Sequence, residues 1–211
     1  MKITKFGHCC FLVEENGLRI LTDPGSYSTA QNKVESIDII LITHDHQDHL
    51  HIDSLKAVLK NSPQARIITN RSVGKLLDKE NLPYTVLEDG QKTSEKGVLI
   101  EAFGKKHAIM HPTIPQIDNT GYLIGNKLFY PGDALTNPKK PIEILALPVA
   151  GPWLKLSEAI DYAKEIKPAL CFPVHEGGLK SPGSVYRLPL TVLGPLGISF
   201  IVLEIEKETE L

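Results

Sequence analysis

The chain has 211 residues, enough to bury about 70% of its unfolded surface without covalent staples, which excludes the small disulfide- or metal-stapled scaffolds. Hydrophobic residues make up 42% and charged residues 23%, with 16 Gly and 15 Pro dispersed along the chain, the profile of a loop-rich globular protein rather than a disordered or fibrous one. Twenty-three basic side chains against 25 acidic ones leave a net charge of −2, so no bulk attraction to polyphosphate or to an anionic bilayer is expected.

The opening stretch, MKITKFGHCCFLVEENGLRILTDPG, alternates apolar and polar residues and contains acids, unlike a signal peptide. No run approaches the roughly 18 apolar residues of a membrane span. The three cysteines include the adjacent pair Cys9 and Cys10, an odd count with poor bridging geometry, which points to reduced thiols and a cytoplasmic protein. Short β-rich runs follow one another at Lys2 to Phe6, Cys10 to Glu14 and Arg19 to Thr22. The turn signals Glu15-Asn16-Gly17 and Asp23-Pro24-Gly25 make them an antiparallel meander. Ile37 to Thr43 is nearly all apolar and is expected to be a strand buried on both faces.

Beyond it, Asp53 to Leu59 and Ser72 to Leu77 have helical spacing, with Arg66 to Thr69 as the strand between them. Strands then dominate at Tyr84 to Leu87, Val98 to Phe103, Gly121 to Ile124, Lys127 to Tyr130 and Ile142 to Leu147, with Gly125-Asn126 as a hairpin turn. A last helix is predicted from Ser157, as N-cap, to Ile166, leading into a buried strand from Ala169 to Val174 that ends at His175. Residues 176–197 read as a long loop before a final strand from Ile198 to Ile205, and long loops in compact domains are often functional. Strands followed by helices, twice over, suggest two sheets face to face with helices outside, in one domain spanning residues 1–211.

Four of the eight histidines lie in Thr43-His44-Asp45-His46-Gln47-Asp48-His49-Leu50-His51, directly after the apolar strand. His44 and His46 project to one side, while Asp48 and His49 on the next turn can face the same space. That offers two imidazoles to one cation, and a carboxylate and an imidazole to a second about 3.5–4 Å away. His51 reads as a bystander.

These residues make the chain resemble the metallo-β-lactamase superfamily, whose H-x-H-x-D-H signature is matched by His44, His46, Asp48 and His49. The resemblance extends to Asp23-Pro24-Gly25, His107, Pro131-Gly132-Asp133 and Pro173-Val174-His175. Gly7-His8 and the compact size look most like the small metal-dependent hydrolase branch that includes ascorbate-6-phosphate lactonase-like proteins. The resemblance implies a four-layer αββα sandwich with metals in the cleft between the sheet edges. It implies that His44, His46 and His107 hold a first metal, that Asp48, His49 and His175 hold a second, and that Asp133 bridges both. Imidazole and carboxylate donors suit zinc, with manganese or iron as alternatives. A water between two such cations loses a proton near neutral pH and gives a hydroxide nucleophile, with Asp48 placed beside it.

His107 and His111 compete for the third histidine position. His107 is favoured, which leaves His111 as a candidate catalytic proton donor or substrate contact. Asp23 can orient a ligand histidine, His8 can border the cleft, and Lys105-Lys106 and Lys139-Lys140 read as solvated faces. In the predicted loop, Lys180 or Arg187 could pair with an anionic substrate. The expected function is a dinuclear metal-dependent hydrolase acting on a small ester, lactone or phosphodiester, with a small molecule as partner and neither membrane nor nucleic acid. Diiron oxygen-reducing relatives place a glutamate where His46 stands and add a flavin domain, both missing here. A mononuclear iron sulfur-dioxygenase-like enzyme and a non-catalytic metal-binding scaffold are the alternatives.

Overall fold

Strand β1 (Lys2–Gly7), β2 (Cys10–Glu15) and β3 (Leu18–Thr22) form the expected antiparallel meander, and β4 (Ile39–Leu41), β5 (Arg66–Thr69) and β6 (Tyr84–Val86) continue it as parallel neighbours. This is a computed structural model that describes residues 1–211. Helix α1 (Ile52–Asn61) and helix α2 (Arg71–Lys79) supply the crossovers that parallel strands require. The second sheet repeats the plan. An antiparallel run of β7 (Lys92–Glu95), β8 (Val98–Phe103), β9 (Gly121–Ile124) and β10 (Leu128–Tyr130) is followed by parallel β11 (Ile144–Pro148), β12 (Leu170–Val174) and β13 (Ser199–Phe200). A last strand, β14 (Glu208–Glu210), returns to the first sheet beside β1, so each sheet has seven strands.

Side-chain alternation sorts the apolar residues into three layers. Between the sheets lie Ile3, Phe11, Val13, Ile39 and Leu41 from one side and Ile100, Tyr122, Tyr130, Ile144 and Phe172 from the other. Leu21, Ile40 and Ile42 face outward onto Leu55 and Val58 of α1 and Val73 and Leu77 of α2. Leu145, Leu147 and Cys171 face Ala159, Ile160 and Ala163 of α3 (Leu156–Ile166). The architecture is the four-layer αββα sandwich. The residues Ile39, Ile40 and Leu41 show why: each is buried, but on alternate faces, because a central strand in this arrangement has no solvent side. Cys9 and Cys10 divide the same way, Cys9 into the inner layer and Cys10 into the outer one, and both are free thiols.

Three expectations are corrected. The N-cap of α3 is Lys155 rather than Ser157, with the Glu158 carboxylate accepting the Lys155 N–H at 3.0 Å. Residues 176–197 are not a structureless loop: helix α4 (Arg187–Leu193) buries Pro189 and Leu193. Pro189 hid it, yet in the first turn of a helix a missing N–H costs nothing because that group has no partner inside the helix. The final apolar run does not stay in one strand. After Phe200 the chain crosses to the other sheet, where the Glu206 N–H donates to the Lys5 carbonyl at 2.8 Å. No helix is long and apolar enough to cross a membrane.

Candidate metal centre

Strands β1, β3, β4, β8, β10, β11 and β12 run so that their C-terminal ends meet at one rim of the sandwich. The segments leaving those ends carry His8, Asp23, the 44–49 cluster, His107, Asp133, Trp153 and His175. Open α/β sheets bind ligands at such rims because strand ends leave a crevice between diverging loops. Close approach of two of these loops requires Gly25, since a Cβ there would lie 1.8 Å from the Asp48 carbonyl oxygen.

The side chains converge in two groups, with the ligand atoms of each within 4.8 Å of one another: His44, His46, His107 and Asp133, then His8, Asp48, His49 and His175. Asp133 joins them. Its Oδ2 lies 3.3 Å from His107 Nε2, 3.9 Å from His44 Nε2 and 2.7 Å from His175 Nε2, while its Oδ1 lies 3.1 Å from His49 Nε2. His175 Nε2 is also 3.5 Å from Asp48 Oδ2.

Hydrogen bonds behind the cluster fix which ring nitrogens are free, the tautomers following from the network. Asp23, fully buried, accepts from the Thr43 N–H at 2.8 Å and the Thr43 hydroxyl at 2.7 Å, and from His49 Nδ1 at 2.7 Å, with the Tyr130 hydroxyl as a further donor. With its proton committed to Asp23, the Thr43 oxygen accepts from His44 Nδ1 at 3.0 Å. His107 Nδ1 donates to the Ala108 carbonyl at 2.6 Å. Three rings therefore turn Nε2 toward the cavity, His49 as an imidazolium while no cation is bound, because the charge of Asp133 outweighs burial and raises it well above the usual imidazole range. His8 has the opposite tautomer: Nδ1 accepts the Gly177 N–H and Nε2 donates to Asp48 Oδ2, both at 3.0 Å, so it acts as a donor that orients Asp48.

Buried polar groups in folded proteins nearly always have a hydrogen-bond partner. Here His49 Nε2, His107 Nε2, His175 Nε2 and Asp133 Oδ1 are buried with no well-aligned hydrogen bond, the three nitrogens lying 2.7–3.3 Å from Asp133 oxygens. Four unpartnered atoms of the types that ligate transition metals, aimed at a common space, fit bound cations. Charge agrees. Burial first, and the charge of His49 second, push His44 well below the usual imidazole range, which keeps its lone pair available. Burial alone would raise Asp48, but the His8 hydrogen bond and the charge of His49 outweigh it and hold the carboxyl at about 2. Asp133 is likewise held well below the carboxylate range by His49 and His175, against its burial. Cys9 approaches His49 and Asp133, yet burial pushes its thiol up to about 11, so it stays protonated at neutral pH.

All seven residues expected as ligands are thus brought together: His44, His46, Asp48, His49, His107, Asp133 and His175. Of the two downstream histidines, it is His107 that is buried in the cluster. His111 is exposed, its Nδ1 turned to the Thr113 hydroxyl at 2.8 Å, and it does not line the cavity over the centre. Lys180 and Arg187 are also exposed and absent from the cavity wall. His51 occupies the N-cap position of α1, with Nδ1 2.9 Å from the Ser54 hydroxyl.

Trp153 was not anticipated. Its indole N–H donates to Asp133 Oδ2 at 2.9 Å, and its ring meets those of His107 and His175 edge to face. Asn119 holds the same aspartate from behind, its Oδ1 accepting the Asp133 N–H at 3.0 Å. A lone tryptophan after Gly151-Pro152 was the available signal. Trp153→Phe keeps the apolar bulk and removes the donor, and groups that hold metal-binding carboxylates are worth about 10–100-fold in affinity or activity. We expect metal affinity, measured by competition with a chromophoric chelator, to fall within that range while the fold persists.

A profile described as "Beta-lactamase superfamily domain" matches residues 2–175. Protein Rv0786c of Mycobacterium tuberculosis is 36% identical over 181 residues, covering 83% of this chain and 84% of the relative. The UPF0173 metal-dependent hydrolase Ta0764 of Thermoplasma acidophilum is 26% identical over 227 residues, covering 100% and 99%. Igni18, a metallo hydrolase from Ignicoccus hospitalis, superposes with a TM-score of 0.76 at 19% identity, covering 100% of this chain and 98% of that one, a likeness of fold. The chain belongs to the beta-lactamase superfamily. Within it, the chain falls among the metal-dependent hydrolases.

Proposed function

We propose that the protein is a dinuclear hydrolase in which His44, His46, His107 and Asp133 hold one divalent cation and Asp48, His49, His175 and the shared Asp133 hold a second. The observation that carries this reading is the convergence of unpartnered, buried Nε2 and Oδ1 atoms around a single aspartate. Zinc is the cation best matched to imidazole and carboxylate donors without a thiolate. Bound there, such cations would supply Lewis acidity at the scissile carbonyl or phosphoryl oxygen and a water acidified to near neutral pH.

The chain's own residues do the positioning. Asp23 and Thr43 engage Nδ1 of His49 and His44 so that Nε2 faces the cavity, the Ala108 carbonyl does so for His107, and Trp153 and Asn119 fix the orientation of Asp133. His8 holds its proton on Nε2, beside Asp48 Oδ2. Trp153, Met110 and Leu179 give the wall above the centre an apolar surface. No catalytic role falls to His111 in this arrangement.

Elemental analysis of the purified, reconstituted protein should find about two transition-metal ions per chain. Chelation should lower the melting temperature, because cations that bind only the folded state stabilise it by mass action. A folded protein without tightly bound metal after reconstitution would remove the basis of the proposal. Turnover across aryl esters, lactones, thioesters and phosphodiesters then tests hydrolysis, and oxygen uptake by an iron-loaded sample would mark a dioxygenase instead.

A further inference from the structure

The cavity over the centre measures about 460 Å³, within the range of small-molecule sites. Its charged groups are confined to the floor, where Asp48, Asp133 and the histidines converge. No lysine or arginine lines it, and the remainder of the wall is apolar or aromatic: Tyr27, Met110, Pro152, Trp153 and Leu179. Tyr27 stands at the mouth, 53% exposed, with its ring set edge-on to His8 at 4.9 Å. Its other neighbour is Gly178, where a Cβ would come within 3.1 Å of the ring. With more than half of its surface exposed, the Tyr27 ring at this cavity is a contact surface open to a ligand.

Charge placement decides what such a cavity accepts. Two divalent cations held at the floor would outweigh the two carboxylates there and could satisfy an anionic oxygen at the reacting bond itself. A second charge further out on the substrate would meet no lysine or arginine in a wall formed chiefly by Tyr27, Met110, Pro152, Trp153 and Leu179. Proteins hold remote carboxylates and phosphates with arginine forks or lysine point charges, and a charge desolvated without such a partner is heavily penalised.

We propose that the cavity selects substrates that are uncharged beyond the reacting bond: compact esters, thioesters or lactones bearing an aromatic or branched-alkyl group that packs on Tyr27 and Trp153. For the reaction this rests on the hydrolase reading above; for the selectivity it rests on the wall alone. It turns the expected specificity away from sugar phosphates, whose charge is remote from the lactone bond, and away from the anionic substrates that Lys180 and Arg187 suggested.

The test is a matched pair on metal-loaded protein: p-nitrophenyl phenylacetate and p-nitrophenyl (4-sulfophenyl)acetate, each rate normalised to its hydroxide-catalysed hydrolysis. They share leaving group and reacting bond and differ by one charge at the far end of the acyl group. We expect kcat/KM to be at least about tenfold higher for the neutral ester, equal to one power of ten in transition-state binding. Parity, or preference for the sulfonate, overturns the proposal. Tyr27→Ala should raise KM for the neutral ester with metal content unchanged, and Tyr27→Phe should restore it; an unchanged KM in Tyr27→Ala removes Tyr27 from the contact surface. Should neither ester turn over, hydrolysis of esters fails as a reading, and the selectivity is decided by binding of the inert amides phenylacetamide and (4-sulfophenyl)acetamide. The fluorescence of Trp153, the chain's single tryptophan, reports that binding. Tighter binding of the neutral amide sustains the proposal, and equal or tighter binding of the sulfonate overturns it.

Discussion

Asp133→Ala should release both cations and lower turnover by at least about 10³-fold, the equivalent of about 4 kcal/mol of lost Lewis-acid stabilisation. The aspartate is 1% exposed, and it is the one carboxylate whose oxygens approach histidines of both clusters. Removing it deletes a ligand from each side and also the negative charge that offsets two adjacent cations. The sandwich itself should persist, because the apolar layer between the sheets does not involve the rim. Metal stoichiometry is therefore the decisive measurement, with far-ultraviolet circular dichroism as the control for folding. His107→Ala should lose metal from one cluster, whereas His111→Ala should keep full content. A fully loaded Asp133→Ala protein would refute the bridging role.

Lys5→Met should destabilise the fold by about 3–5 kcal/mol, the loss typical when one member of a buried ion pair is removed. The Lys5 side chain is 2% exposed and its ammonium pairs with Glu176, whose side chain is 6% exposed, while donating to the Pro173 carbonyl at 2.6 Å. Glu176 also accepts from the Tyr186 hydroxyl at 3.1 Å, but its second oxygen is buried without a partner. Without Lys5 the carboxylate would be stranded in the interior. Replacing both residues, Lys5→Met with Glu176→Leu, should recover most of the loss, because exchanging a whole buried pair for apolar groups is often neutral or stabilising. Urea denaturation of the single and double variants tests this, and a single variant within about 1 kcal/mol of the native protein would show that the pair contributes little. Since Glu176 follows His175, whose φ of 70° lies in the left-handed region, the single variant should also weaken metal binding at Asp48, His49 and His175.

The contrast between these two residues shows what was legible in the sequence. Asp133 could be read because the signature around His44 to His49 placed the chain in a family and each further ligand lay at a recognisable strand end. The meander, the strand at Ile39 and the helices over the outer faces followed from short-range periodicity. Lys5 could not be read. In Lys2-Ile3-Thr4-Lys5-Phe6 a lysine looks like a solvent-facing residue, yet it shares its face with the buried Ile3 and is neutralised by a partner 171 positions away. Trp153 and the tautomer of His8 escaped for the same reason: their roles are set by Asp133 and Gly177, contacts that no local pattern encodes. Helix α4 was hidden by Pro189, and the split of the final apolar run between β13 and the crossing segment depends on which sheet edge is free.

The seven residues placed as ligands leave four different strand ends and span much of the chain, from the segment after β4 to the one after β12. A cation seated between His49 and His175 would tie together points 126 positions apart, and one between His44 and His107 points 63 apart. Closing loops of that length in the unfolded chain carries a large entropic cost that a cross-link removes. The protein has no disulfide to do this, its three cysteines being buried and free. The cations, held by the folded chain alone, would be reversible cross-links of the folded rim, and their loss should open it. During synthesis the second cluster stays incomplete until His175 has emerged and β12 has docked beside β11. Loading of the second cluster is thereby tied to synthesis past His175, and a chain stalled before it lacks one of that cluster's ligands.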